Sequence, residues 1–508
     1  MERIPHMDIT IQCDRNNTKT LFTLCEEQGI SLAAFCGRHG ICGSCKIRLI
    51  SGILSPSSSD KSFFSHKELN AGYRLACTAI PKETIHFEYY EYTHSEKKIC
   101  GIDSFVSETQ VQNKLSSPNT LLLIDIGTTT IALLLTDYLG NTIDTALFFN
   151  PQFPFGSDVI SRLNQALSGK EDQLCQVLQE ELRKQILQIL QRNHLNFVDR
   201  ICIAGNTIMT HFLLGYPTKT LAHAPFTPYS TELVEYTSDH TQITIFPSLS
   251  AFIGGDIISG MYGLNFESRT DTVLLIDLGT NGEMALVHNG YVKVTSVAAG
   301  PAFEGGNLSC GGPSIPGAIS EVTLGGIHPI CKTIDNKLPI HLCGTGALSL
   351  ISELLKKGYI QKDGIATKKF PQKGILLAKS SDGSEIRFTL EDFRELQLAL
   401  ASLKAGYETL LYECALNAAD IEQIFLAGSF GSNLIFNNER LSPMFPEIWL
   451  DRVKPIGNSC LKGLFKYGRH HSPKELSHFS VTSEFVTTVL LAEHPVFKKR
   501  FLQHLTFD

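Results

Sequence analysis

Four cysteines are spaced as ligands are spaced. Cys36, Cys42 and Cys45 form C-x5-C-x2-C within CGRHGICGSCKIRL, and Cys77 stands alone downstream. An iron–sulfur cluster takes four thiolates, commonly three from one loop and one from a distant segment. Gly37, Gly40 and Gly43 would let such a loop wrap an inorganic core and aim N–H groups at sulfur, which also tunes the reduction potential. Zinc sites more often pair two C-x2–4-C knuckles, and Cys77 has no near cysteine partner. Zinc or unligated buried thiols are the alternatives to a cluster. The other ten of the 14 cysteines, including Cys13, Cys100, Cys202 and Cys343, read as small buried hydrophobes.

A second constellation has the chemistry of a phosphate grip. LLLIDIGTTTIALLL (121–135) carries Asp125, Gly127, Thr128, Thr129 and Thr130. A carboxylate at a strand end can hold Mg²⁺ through water, because Mg²⁺ prefers one or two carboxylates, phosphates and retained waters. The glycine and threonines supply a tight turn, backbone N–H groups and hydroxyls for phosphate oxygens. LLIDLGTNGEMAL (274–286) repeats the device with Asp277, Gly279, Thr280, Asn281 and Glu283. LAGSFGSNL (426–434) places Gly428 and Gly431 after a third apolar run, where backbone can approach a nucleoside closely. Gly344 and Gly346, in HLCGTGALSL, mark a helix start that could face a phosphate or sugar. Asp277 or Glu283 is the candidate to orient an attacking water, and Asp125 completes the catalytic set. Asp256 and Glu304 are further acids, with helix capping or turn formation as their alternative use. A lone D-x-G-T is as readily a strand-ending turn; two copies followed by strand-G-x-x-G are harder to obtain by chance. His211, in AGNTIMTHFLLG (204–215), reads as a packed histidine.

These residues need elements to position them. Residues 8–13 alternate as a strand, a second short strand is expected near Thr20–Leu24 before a helical turn, and 46–50 and 84–90 are expected strands. Residues 95–118 are polar and weakly patterned, which is linker chemistry. Two apolar hairpins, 121–137 and 273–288, share one signature and suggest two related halves. Helices are expected over 172–191, 347–357 and 390–418, and buried strands at 201–204 and 424–427. The resulting division is a first domain at 1–94, a linker at 95–118, and a domain at 119–508 whose halves meet near 270. The 508 residues, 43% hydrophobic and 19% charged, suit a multidomain globular chain. A net charge of −7 argues against nucleic acid as partner. No apolar run reaches a membrane span, and Met1–Thr10 lacks an apolar signal core, so a cytoplasmic location is expected.

Residues 7–92 resemble [2Fe–2S] ferredoxins of the adrenodoxin and flavin-reductase type, with one more residue between the first two cysteines than the plant-type C-x4-C-x2-C. The resemblance implies a β-grasp domain with Cys36, Cys42, Cys45 and Cys77 on the cluster. The two D-x-G-T loops and the late glycine loop resemble the superfamily of acetate and sugar kinases, heat-shock ATPases and actin. That resemblance implies two ribonuclease-H-like lobes closing on ATP and Mg²⁺, so the fold class is mixed α/β and α+β. The pairing of both units, with GTTT, AGNTIMTHFLLG, DLGTNGE and AAGPAFEGG, resembles the reductive activators of corrinoid-dependent enzymes, including those of methyltransferase and O-demethylase systems.

Membership there implies ATP-dependent transfer of one electron from the cluster to a corrinoid protein, returning Co(II) to Co(I). It further implies an upstream reductant; a homodimer stays open. Larger members carry an extra middle domain, and this chain, entering the ATPase at Asn119, is expected to lack it. Two alternatives are a small-molecule kinase with a redox-sensing ferredoxin, and a plain electron carrier with a docking domain that hydrolyses nothing. A third, an activator of a radical dehydratase, would hold a [4Fe–4S] cluster between subunits, against the ferredoxin spacing.

Overall fold

The computed structural model describes residues 6–28, 30, 32, 45–64, 66–90, 120–238, 240–325, 328–380, 383–428, 441–471, 473–480 and 483–507. Cys36, Cys42, Gly37, Gly40, Gly43, Cys100, Gly431 and the linker 95–118 lie outside the described residues.

In the N-terminal unit, strands β1 (His6–Ile11), β2 (Lys46–Ser51), β3 (Tyr73–Leu75) and β4 (Ile85–Tyr90) form one sheet in the order β1-β4-β2-β3. Alternation sends Ile9 and Ile11 inward to meet Ile47, Leu75 and Phe87. The strand expected near Thr20–Leu24 is instead the start of a helix, Leu21–Glu27. Thr20 suits a strand by propensity, but its hydroxyl accepts from the Thr23 N–H at 3.3 Å and caps that helix. Leu21, Phe22 and Cys25 then face the sheet.

The rest of the chain carries two six-stranded sheets. The first contains β5 (Thr120–Ile126), β6 (Thr130–Asp137), β7 (Thr142–Phe149), β8 (Arg200–Gly205), β9 (Val234–Ser238) and β10 (Thr241–Ile245), ordered β7-β6-β5-β8-β10-β9. Next come β11 (Val273–Leu278), β12 (Gly282–His288) and β13 (Tyr291–Val297). Strands β14 (Ala318–Thr323), β15 (Ile330–Thr333) and β16 (His341–Leu342) make a small sheet, and β17 (Ile375–Lys379) pairs with β18 (Glu385–Phe388). Then β19 (Gln423–Ala427), β20 (Val453–Gly457) and β21 (Val486–Thr488) complete the second large sheet, β20-β19-β11-β12-β13-β21. Five strands correspond one for one, β7-β6-β5-β8-β10 with β13-β12-β11-β19-β20. Each set has two antiparallel pairings followed by two parallel ones. This is the duplicated two-lobed fold expected from the paired hairpins.

Unbroken apolar runs in β5 and β11 imply burial on both faces. Leu121 and Leu123 join Val273 and Leu275 in a core between the sheets, built on the helices Gly255–Gly263 and Ser459–His470. Leu122, Ile124 and Ile126 face outward onto the helix Glu171–Arg192. Leu274, Ile276 and Leu278 face outward toward the helices Gly344–Lys356 and Leu390–Glu413. The two central helices cross at glycines. A Cβ on Gly463 would lie 1.8 Å from Ser259 O, and one on Gly263 would lie 2.7 Å from Gly463 N.

Candidate functional site

Strand parity decides where the aspartates point. Side chains alternate with period two, so Asp125 shares the inward face of Leu121 and Leu123, and Asp277 that of Val273 and Leu275. Each ends a central strand facing the layer that holds the two crossing helices. The N-terminus of the helix Ser459–His470 brings the partners. Asn458 Nδ2 donates to Asp125 Oδ2 at 2.6 Å, and Ser459 Oγ donates to Asp277 Oδ2 at 3.0 Å. The Cys460 thiol also hydrogen-bonds Asp125. Asn458 Oδ1 meanwhile accepts from Leu461 N–H at 2.8 Å as the helix cap. Three consecutive residues of one lobe thus grip the key acid of each lobe.

The two phosphate loops face each other. Thr129 and Thr280 share a hydroxyl–hydroxyl contact of 3.1 Å, and Thr280 Oγ1 donates to Glu304 Oε2 at 3.0 Å. Thr128 Oγ1 accepts from Asn206 Nδ2 at 2.9 Å. Gly127 N–H reaches Thr130 O at 3.0 Å, closing the first turn, and Gly279 N–H reaches Asn281 O at 2.9 Å, closing the second. Gly428 has φ +92°, and a Cβ there would stand 2.3 Å from Leu278 O and 2.9 Å from Asp277 Oδ1. Only glycine lets this turn close over the second aspartate.

Five acids share the cleft: Asp125, Asp256, Asp277, Glu283 and Glu304. Glu283 lies directly across from Asp277 in the β11–β12 register, so both side chains leave the same face. Burial pushes the Asp277 carboxyl up to about 7, and the Asp125 and Glu304 charges add to it. Glu283 is raised by burial and then by Asp256 and Asp277. Burial likewise raises Asp256, with Asp125 and Asp277 contributing. Asp125 is raised by burial against the pull of Asn458 and Cys460, and Glu304 against Thr280 and Thr129. Such an excess of confined negative charge suits a cation. Among the described residues no three ligating side chains converge to chelate a metal by themselves.

Other expected residues have different surroundings. Gly344 and Gly346 begin the helix Gly344–Lys356 and are buried; a Cβ on Gly346 would lie 2.1 Å from Ile319 O, so close helix-on-strand packing accounts for that glycine. His211 is satisfied on both nitrogens, by Thr207 O at 2.7 Å and by Tyr229 N–H at 3.1 Å. Asn458, Ser459 and Asn206 were missed in the sequence. One signal was available: AGNT (204–207) and IGNS (456–459) both read strand, Gly, Asn cap, hydroxyl.

In the N-terminal unit Cys45 directly precedes β2 and Cys77 follows β3, and both are buried. Ala76 N–H donates to Cys45 O at 3.0 Å, so two cysteines 32 positions apart (77 − 45) come together on adjoining strand ends. That adjacency fits a cluster drawing one ligand from outside its loop.

Comparison with known proteins covers both units. Residues 6–82 match the 2Fe-2S iron-sulfur cluster binding domain, 122–269 the RACo middle region, and 271–508 the C-terminal domain of RACo, the ASKHA domain. The middle-region match falls on the lobe carrying β5–β10, the first half of the duplicated fold. The chain is 28% identical over 457 residues to the corrinoid activation enzyme RamQ of Eubacterium limosum, covering 84% of this chain and 76% of that one. It is 25% identical over 380 residues to the [Co(II) methylated amine-specific corrinoid protein] reductase of Methanosarcina barkeri, covering 67% and 68%. A solved structure titled reductive activator for corrinoid, iron-sulfur protein shares the fold, with TM-score 0.68 and 23% identity over 98% of this chain and 96% of that one. Among the described residues no helix is long and apolar enough to cross a membrane.

Proposed function

The chain belongs with the reductive activators of corrinoid-dependent enzymes, and we propose from that premise that it couples ATP hydrolysis to one-electron reduction of a corrinoid protein, returning cob(II)alamin to cob(I)alamin. The observation that carries this reading is the presence, in one chain, of Cys45 and Cys77 on adjoining strand ends and a two-lobed cleft lined by paired acids. When bound, a [2Fe–2S] cluster supplies the electron and Mg-ATP the driving force. Cys36, Cys42, Cys45 and Cys77 hold the cluster. Asp125 and Asp277 hold Mg²⁺ through water, and residues 127–130 and 279–281 take the phosphates. Gly428, with Gly431 beyond it, lets backbone approach the nucleoside.

Asp277, held by Ser459 at the end of β11, orients the attacking water, because phosphoryl transfer depends mostly on positioning and electrostatics. Burial, with the Asp125 and Glu304 charges, raises its proton affinity when no metal is bound. The energetic need is plain. Each 59 mV of unfavourable one-electron potential costs a factor of about ten, so a gap of roughly 150 mV below a plant-type cluster near about −400 mV costs about 3.5 kcal/mol. Nucleotide turnover can offset this only by favouring one partner state over another. The acceptor is the corrinoid protein of a methyltransferase or O-demethylase system, and an upstream reductant in the cytoplasm refills the cluster.

The test is anaerobic. Mixing the protein with reductant and a cob(II)alamin-loaded corrinoid protein, with and without Mg-ATP, should give the Co(I) absorbance band only with nucleotide. Reduction independent of ATP would mark a plain carrier. Phosphorylation of a metabolite with cobalt unchanged would mark a kinase.

A further inference from the structure

Three consecutive carbonyls of the first phosphate loop are held from behind. Asn150 Nδ2 donates to Gly127 O at 2.9 Å, Arg162 Nη2 to Thr128 O at 2.5 Å, and the Asn150 N–H to Thr129 O at 2.9 Å. Asn150, Gln152 and Arg162 are each 0% exposed, so these carbonyls point into the lobe and away from the cleft. The bracket is itself braced: Gln152 N–H donates to Asn150 Oδ1 at 3.0 Å, and Gln152 Nε2 donates to Leu174 O at 2.9 Å. All of it comes from NPQFPFGSDVISR (150–162), downstream of β7.

Arg162 is the unusual member. Its remaining bonds go to Gly156 O at 3.0 Å, Gln152 Oε1 at 3.2 Å and Met209 Sδ at 3.3 Å. Every acceptor is neutral. Among the described residues no carboxylate lies within ion-pair distance of it. Asp158, the acid whose charge it feels, is engaged with Ser161 N and Oγ at 2.8 and 2.6 Å. Burial lowers the guanidinium pKa to about 9, which leaves it charged at neutral pH. A buried cation with no direct ion-pair partner is costly, and an anion arriving at the loop in front of it would relieve that cost. Glu304 accepts from both loops, from Thr280 Oγ1 at 3.0 Å and from Thr129 Oγ1 at 3.5 Å.

We propose that Arg162, framed by Asn150 and Gln152, is a positioning residue that turns the first phosphate loop's carbonyls inward and sets a fixed positive charge behind it, so that this loop takes the phosphate groups of a nucleotide. The inference rests on reading the cleft as a nucleotide site. Inward carbonyls leave amide N–H groups and hydroxyls for anionic oxygens, in the manner of a backbone nest. The fork geometry matters as much as the charge, since lysine offers a point charge without the rigid set of donors.

The experiment titrates Mg-ATP, Mg-ADP and adenosine into the intact, anaerobically purified chain, as wild type, R162K and R162M. R162M should bind both phosphorylated nucleotides at least a hundredfold more weakly and R162K roughly tenfold. Adenosine affinity should stay within about twofold in both, with the visible iron–sulfur spectrum unchanged. Undiminished Mg-ATP binding by R162M overturns the proposal, as does equal loss of adenosine and Mg-ATP, which would make Arg162 a strut. Should R162M fail to fold, the selective loss in R162K decides. A wild type that binds no nucleotide overturns the cleft reading as well, and needs no variant to show it.

Discussion

The two lobes of the cleft have the same five-strand order and end their central strands in the same D-x-G-T turn, yet the residues supporting those turns differ in kind. Behind the first loop stand amides and a buried guanidinium, Asn150, Gln152 and Arg162. Around the second stand acids and hydroxyls: Glu283 opposite Asp277, Glu304 on Thr280, and Ser459 on Asp277. A duplicated scaffold therefore yields one loop backed by positive charge and another in a crowd of carboxylates with raised proton affinity. On the proposed reading both loops take phosphate and both aspartates serve the cation, and the contrast lies in the charge placed behind each loop.

Several substitutions would break or sharpen that contrast. The largest effect is expected from the aspartates. Asp277→Asn should lower the turnover of ATP hydrolysis at least a hundredfold, about 3 kcal/mol. Asp125→Asn should act mainly by weakening Mg-nucleotide binding. Phosphate release measured across a nucleotide series separates the two, and identical profiles would deny the division of labour. Gly463→Ala comes next. Its Cβ would meet Ser259 O at 1.8 Å and force apart the helices joining the lobes, costing about 3 kcal/mol, readable as a lowered denaturant midpoint.

Ser459→Ala should cost about 1 kcal/mol of turnover, and its signature is a shift of the acid limb of the pH–rate profile to higher pH, because the lost hydroxyl favours ionised Asp277. An unmoved limb would mean that Ser459 merely fills space. The smallest effect is on stability. Asp277 binds its proton more tightly folded, near pH 7, than unfolded. Its contribution is therefore fully present below the unfolded carboxylate range and is lost as pH rises through about 7. Without Mg²⁺ and nucleotide the melting temperature should fall by a few degrees between about pH 6 and 8, and Asp277→Asn should flatten that slope in a calorimetric scan.

What could be read from the sequence was local. Asp125 and Asp277 sit within continuous apolar runs, so strand and turn followed from neighbouring residues, while the face each side chain takes did not. The paired hairpins likewise announced the duplication. Their partners did not show, because Asn458 meets Asp125 across 333 positions and Ser459 meets Asp277 across 182; no periodicity links such residues. Arg162 is closer, 34 positions from Thr128, yet an arginine in an amphipathic stretch reads as solvated until its burial is known. Thr20–Leu24 was misread for a different reason: the side-chain cap overrides a weak strand propensity.

The central claim is that a thiolate-held cluster and a nucleotide cleft in one chain act as one machine. The most direct measurement counts Co(I) formed per ATP hydrolysed, in a single anaerobic mixture, for wild type and for Asp277→Asn with an intact iron–sulfur spectrum. A fixed ratio in the wild type, with both yields collapsing together in the variant, is the expected result. Co(I) formed at the wild-type rate by a variant that hydrolyses no ATP would contradict it.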